Sequence, residues 1–187
     1  MSRKGDACGN KGRRSFLTPQ LSPAPKKLMT KFLLCALFLS FAPLLHASYD
    51  PNLQIDLKYT AVDGSTVDLS KMRGKVVLVD FWATWCPPCR GEVPNVVAAY
   101  KKYHDQGFEI VGVSLDQNKD ALLAFTKEHG MVWPQYFDGK GWSNSVSKHF
   151  GIESIPAMWL IGKDGKLVTT NAREDLSGQV EKALKTP

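Results

Sequence analysis

The five residues Trp85-Cys86-Pro87-Pro88-Cys89 constrain this chain more than any other stretch. They follow Lys75 to Trp82, which reads as a buried strand, and precede an amphipathic helical pattern. Two cysteines three apart, where a strand hands over to a helix, form the arrangement that dithiol–disulfide exchange requires. Free backbone N–H groups and the positive end of the helix dipole favour a thiolate at the start of that helix. Such surroundings lower a cysteine pKa from about 8.5 to roughly 3.5–7.5.

The pair gains meaning from what surrounds it in the whole chain. Residues 1–47 read as an export signal region, with Lys26, Lys27 and Lys31 ahead of an apolar run from Phe32 to Leu45 and a small-residue cleavage site at Ala47. The run falls short of the roughly 20 residues that a membrane span needs. An uncleaved anchor is the alternative reading, and only then would the protein contact a membrane. Met29 is an alternative start, since Met29-Thr30-Lys31 opens an ordinary signal peptide. Arg13-Arg14 resembles a twin-arginine signal, but the apolar run begins too far downstream. Cys35 reads as an apolar filler of that run.

Removing this segment changes two global properties. It carries eight of the 24 basic residues and only Asp6 of the 18 acids, leaving 16 basic and 17 acidic side chains in residues 48–187. The surplus of positive charge therefore belongs to the export segment, and nothing points to nucleic acid. Cys8 and Cys35 leave with it, so the domain retains Cys86 and Cys89 alone. An exported domain with one closely spaced pair is not a disulfide-stapled scaffold; the pair is there to react.

Residues 48–187 suffice for one domain with a proper core. Leu53 to Lys58 alternates like a half-buried strand, Asp63-Gly64 is a turn signal, and Ser65 to Leu69 forms a second strand, so a hairpin opens the domain. Val76 to Phe81 is apolar at nearly every position, as in a central strand covered on both faces. Val93, Val96, Val97 and Tyr100 repeat at helical spacing, with Pro94 predicting a kink. Phe108 to Leu115 is a second β-branched run, ending at Asp116, and Asn118 caps a helix through Glu128. A short strand over Trp133 to Phe137 and a short helix over Ser143 to Phe150 follow. Ala157 to Ile161 and Lys166 to Thr170 flank the hairpin signal Lys163-Asp164-Gly165, and Leu176, Val180, Ala183 and Leu184 mark a final helix. The pattern predicts an α/β fold, a central mixed β-sheet with helices on both faces and an N-terminal β-hairpin extension.

Pro87 disfavours helical geometry at Cys86, whereas Pro88 suits the first helical turn. Cys86 is thus expected just outside the helix with its sulfur exposed, and Cys89 inside the first turn and shielded. That asymmetry makes Cys86 the attacking thiol and Cys89 the resolving one. A zinc site would need two further ligands, and His104, His129 and His149 stand at no ligand spacing. No cofactor or metal is expected. Asp80 interrupts an apolar strand six residues before Cys86; burial should raise its pKa and let it exchange a proton with Cys89. Its structural reading is an acid hydrogen-bonded at the strand's end. Glu92, three residues after Cys89, is a second proton-transfer candidate, or a solvated first-turn acid favoured by the dipole. Ile155-Pro156, at the start of a strand, is a candidate cis peptide. Trp85 is expected beside Cys86 on the docking surface; Trp82, Trp133 and Trp159 are expected in the core. Trp142, His104 and His149 receive no role.

These residues resemble the thioredoxin superfamily, and specifically the exported TlpA-like thiol–disulfide oxidoreductases. The likeness runs from Leu53 to Lys185 and rests on Arg73 to Pro94, then Gly151 to Pro156, then Asp164-Gly165. It implies a thioredoxin-like fold, a cis bond at Ile155–Pro156 beside the cysteines, and substrate pairing to the Ile155 backbone. It also implies the nucleophile role of Cys86 and the resolving role of Cys89; Trp85, Pro87, Pro88 and Pro156 are expected to bind substrate together with Ile155. Glu92 falls where many TlpA-like proteins carry a functional glutamate. Asp80 falls where cytoplasmic thioredoxins carry a buried aspartate, whereas many TlpA-like reductases have asparagine, so which acid serves Cys89 stays open. Related peroxidases carry threonine three residues before the reactive cysteine; Ala83 holds that place here. The expectation is a periplasmic reductase of protein disulfides, recharged by a membrane thiol electron donor, with cytochrome c biogenesis as a typical role. A disulfide donor using the same site, and a non-enzymatic partner-binding or chaperone-like module, are the alternatives.

Overall fold

A computed structural model describes residues 53–186. The expected export segment, its Ala47 cleavage site, the Met29 start, Cys8 and Cys35 lie outside the described residues. Five strands form the main sheet in the order β5-β4-β3-β6-β7. These are β3 (Val76–Trp82), β4 (Phe108–Ser114), β5 (Gln135–Tyr136), β6 (Ala157–Ile161) and β7 (Leu167–Thr169). A separate two-stranded hairpin, β1 (Lys58–Thr60) and β2 (Thr66–Asp68), precedes them.

β3 is buried at all seven positions because it is the middle strand and both its faces are covered. It pairs in parallel with β4 and antiparallel with β6, which makes the sheet mixed. Neighbouring side chains of β3 point to opposite faces. Trp82 meets Phe125 of α2 (Lys119–Glu128) at 5.4 Å between ring centroids. Phe81 meets Phe150, which ends the short helix α3 (Ser145–His149), and Trp159 of β6. Helices therefore cover both faces. Phe81 and Trp82 are fully buried, and burying a side chain of that kind contributes about 1.5–3 kcal/mol. The long helix α1 (Pro87–Tyr103) packs against the final helix α4 (Leu176–Lys185). Pro94 lies within α1 on its exposed side without ending the helix.

The hairpin exists, but its first strand lies later than the alternation over Leu53 to Lys58 indicates. That earlier stretch extends the edge of the main sheet instead. Leu53 O accepts from Leu167 N at 3.0 Å, Ile55 N donates to Gly165 O at 3.3 Å, and Gln54 bridges Lys166. Alternation reports a half-buried extended chain without naming its partner, and here β7 takes the pairing. Gly64 turns the hairpin at φ 86°, a conformation that favours glycine. Tyr59 then fastens the hairpin to the sheet, donating its hydroxyl to Gly112 O at 3.3 Å and meeting Tyr136 edge-on. Among the described residues no helix is long and apolar enough to cross a membrane.

Candidate active site

β3 and β4 run in parallel, so their carboxyl ends open together at one edge of the sheet, where ligands of α/β proteins bind. The cysteine pair stands there, four residues after the end of β3. Cys86 is the N-cap of α1 in extended conformation, and the two prolines fill the first helical positions, where a missing N–H costs nothing. Cys86 and Cys89 form a disulfide, their Cα atoms 5.3 Å apart. Cys89 N donates to Cys86 Sγ at 3.2 Å. The helix start therefore aims an N–H and its positive dipole end at that sulfur.

The Ile155–Pro156 bond is cis, as the resemblance implies. Ile155 O lies 3.8 Å from Cys86 Sγ, a van der Waals contact, because a disulfide sulfur carries no hydrogen to donate. Cys86 departs from expectation in one respect. It is 3% exposed and Cys89 2%, so in the disulfide form both are buried, Cys86 between the helix start and the Ile155 carbonyl. Pro87, Pro88 and Trp85 are exposed around the pair, and Ile155 and Pro156 are half-buried.

Asp80 lies mid-strand rather than at a strand end, opposite Gly112 and Met158, and is 3% exposed. Its Oδ1 has no hydrogen-bond partner, so the reading of a satisfied structural acid does not hold. Burial, reinforced by the charge of Glu92, pushes its carboxyl up to about 7. Glu92 is no solvated first-turn acid either. Its Oε1 accepts from Arg173 Nε at 2.8 Å and its Oε2 from Asn95 Nδ2 at 3.1 Å. The Arg173 hydrogen bond, with the Asn95 bond and the Arg173 charge and against the opposing effect of burial, holds the Glu92 carboxyl below its ordinary range. Both acids belong to one neighbourhood, and they sit in opposite states: one buried and poorly solvated, the other fixed as an anion.

Three groups escape the sequence reading. Asp116, just past β4, accepts from Thr84 N at 3.1 Å, Thr84 Oγ1 at 2.6 Å and Ser114 Oγ at 2.8 Å, tying the loop before Cys86 to β4. Thr84 is thereby committed to loop structure. Trp142, given no role above, tilts against Trp85 at 6.1 Å between centroids, and each is nearly half exposed. The two flank a cleft with Leu115, Gln117 and Lys140, and Trp85 Nε1 donates to Leu115 O at 3.2 Å. Arg173 is the third. Asp116 carried a signal in its position at a strand's carboxyl end; Trp142 and Arg173 carried none. Trp82 and Trp133 are core as expected, and Trp159 is half-buried in the Phe81 cluster. His149 is exposed, whereas His104 lies tilted against Tyr100, 4.5 Å between ring centroids, and 3.6 Å from Glu109. Among the described residues no three His, Cys, Asp or Glu side chains gather where a metal could be held.

The chain is similar to known proteins in sequence and in fold. The Redoxin family model matches residues 45–185. The thiol-disulfide oxidoreductase ResA of Bacillus cereus (strain ATCC 10987) is 33% identical over 126 residues, covering 67% of this chain and 71% of that protein. ResA of Bacillus subtilis (strain 168) is 35% identical over 106 residues, 57% of this chain and 58% of that one. Among solved structures, the thioredoxin domain of a thiol-disulfide oxidoreductase from Bacteroides vulgatus superposes with a TM-score of 0.65 at 31% identity, covering 74% of this chain and all of that one. A thiol:disulfide interchange protein DsbE from Chlorobium tepidum gives 0.63 at 30% identity, covering 73% and 99%. The chain belongs to the Redoxin family, among its ResA/TlpA-like thiol–disulfide oxidoreductases, and its fold is thioredoxin-like.

Proposed function

We propose that this oxidoreductase works as a reductase of protein disulfides after export, with residues 1–47 removed. The observation that carries the reading is the Cys89 N–H directed at Cys86 Sγ from the helix start, with the Ile155 backbone alongside. In the reduced protein the same N–H and dipole stabilise a Cys86 thiolate. That thiolate attacks one sulfur of a partner's disulfide and forms a mixed disulfide, and the partner's other sulfur leaves as a thiolate that takes a proton. Cys89 then passes its proton to the Asp80 carboxylate and attacks Cys86 Sγ. The Cys86–Cys89 bond forms, the mixed disulfide breaks, and the partner departs with both sulfurs reduced. A carboxyl that titrates near neutrality can take up and return that proton at pH 7.

The partner's backbone pairs with Ile155 beside cis-Pro156, while Trp85, Pro87 and Pro88 form the exposed contact around the sulfurs. A membrane thiol donor restores the dithiol, because the periplasm is kept oxidising. Cytochrome c biogenesis is the setting that the resemblance implies. The test is trapping with a disulfide-bonded protein substrate. Cys89→Ser should accumulate a covalent mixed disulfide through Cys86, and Cys86→Ser should accumulate none. Trapping by Cys86→Ser instead would reverse the assigned roles.

A further inference from the structure

Arg173 has no place in the cycle above, yet it is bound to Glu92, the acid one turn beyond Cys89. It sits in the 3-10 turn Ala172–Asp175 between β7 and α4. The turn is held at both ends. Asn171 bridges Met158 of β6, the residue that faces Asp80 across the sheet. Asp175 caps α4, its Oδ1 accepting from Gly178 N at 3.1 Å. From this fixed platform Arg173 reaches across 81 residues of sequence to Glu92. With Asn95 on the second oxygen, both oxygens of Glu92 are engaged.

The surroundings of Asp80 make that pairing consequential. Across the sheet its neighbours, Gly112 and Met158, carry no charge. The buried residues of α4, Leu176, Val180 and Ala183, are apolar. α1 contributes buried Cys89 and, one turn on, Glu92, the charged group that acts on Asp80. Two carboxyls that influence each other compete for protons, and a cation paired with one of them settles the competition. A carboxylate already bound by a guanidinium and an amide is a poor proton acceptor. An unpartnered buried one is a good acceptor.

We propose that Arg173 is a positioning residue that holds Glu92 as an anion and so reserves proton exchange with Cys89 for Asp80. This rests on the Cys86–Cys89 cycle proposed above. It also resolves the mixture of two acid patterns in the sequence: Asp80 exchanges the proton, and Glu92 shapes its field under the control of Arg173.

The experiment is a 13C NMR titration of the Asp80 and Glu92 carboxyl carbons in the oxidised protein, alongside the pH profile of protein-disulfide reduction. Arg173→Gln should raise the Glu92 midpoint by about one pH unit and the Asp80 midpoint by about half a unit. The acid limb of the activity profile should move with Asp80, and Arg173→Lys should restore both midpoints. In a Glu92→Gln background, Arg173→Gln should leave Asp80 unmoved, since the effect passes through Glu92. Thermal melting of each variant checks that it is folded; the side chain is 42% exposed and contributes nothing to the core. Unmoved carboxyls in an active, folded Arg173→Gln protein overturn the role of Arg173. So does a wild-type protein in which Glu92, rather than Asp80, holds the proton at neutral pH. Carboxyls that move as expected in a protein reducing no disulfide overturn instead the reaction that Arg173 would serve.

Discussion

Asp80, within β3, and Asp116, just past the adjacent parallel strand β4, are each almost fully buried, at 3% and 2% exposure. Burial is equal; partners are not. Asp116 accepts hydrogen bonds from one backbone N–H and two hydroxyls, whereas Oδ1 of Asp80 has no partner. A buried carboxylate supplied with donors is a fastening, and one without them is a group whose charge is costly and whose proton is exchangeable. The first fixes the Ala83-Thr84-Trp85 loop that delivers Cys86. The second, its carboxyl pushed up to about 7 by burial, is the group that the proposed cycle uses as its proton acceptor. The two acids differ in the count of donors, which burial alone does not reveal.

The comparison breaks most visibly at Asp116. Asp116→Ala strands the Thr84 and Ser114 donors inside the protein and should cost about 3–5 kcal/mol of unfolding free energy, read by urea denaturation at pH 7. A loss below about 1 kcal/mol would mean that water replaces the carboxylate, and the contrast would fail on its structural side.

Asp80→Asn should act in the opposite direction. The folded-state pKa of Asp80, about 7, stands above its unfolded value, so ionisation favours the unfolded chain. The stability linked to its proton is complete below about pH 4 and is lost as pH rises through about 7. Asparagine removes that loss. The variant should therefore gain about 3–4 kcal/mol over wild type at pH 8 and little at pH 4. Resolution of the mixed disulfide should slow about 100-fold. Equal stability gains at both pH values would show that Asp80 is not the titrating group. The smallest effect belongs to Thr84→Val, which deletes one donor at 2.6 Å from Asp116 and should cost about 1–2 kcal/mol with the pH profile unchanged. A moved profile would place the loop network within the acid–base chemistry.

Much of this was legible in the chain because it is written locally. An apolar run gives β3, the prolines and cysteines give the start of α1, and Asn118 gives the start of α2, whose side chain accepts from Ala121 N at 3.0 Å. Raised titration of Asp80 follows from one acid in a buried strand. Pairing choices were less legible. Leu53 to Lys58 alternates as a strand should, yet it serves β7 before β1 begins, since alternation names a face and not a partner. The exposure expected of Cys86 failed because helix position predicts which N–H groups reach a sulfur, and not what else closes over it. Contacts across long stretches of sequence were invisible. Arg173 and Glu92 stand 81 residues apart, and Trp85 meets Trp142 only because a 3-10 turn returns the chain to the site.

The deciding measurement is the equilibrium reduction potential of the Cys86–Cys89 pair in a defined thiol buffer. A reductase with a helix-capped Cys86 and an exchangeable proton on Asp80 should poise near −270 mV, about the value of thioredoxin. A potential near −120 mV would make the same site a disulfide donor, and the absence of any two-electron transition would contradict the dithiol cycle itself.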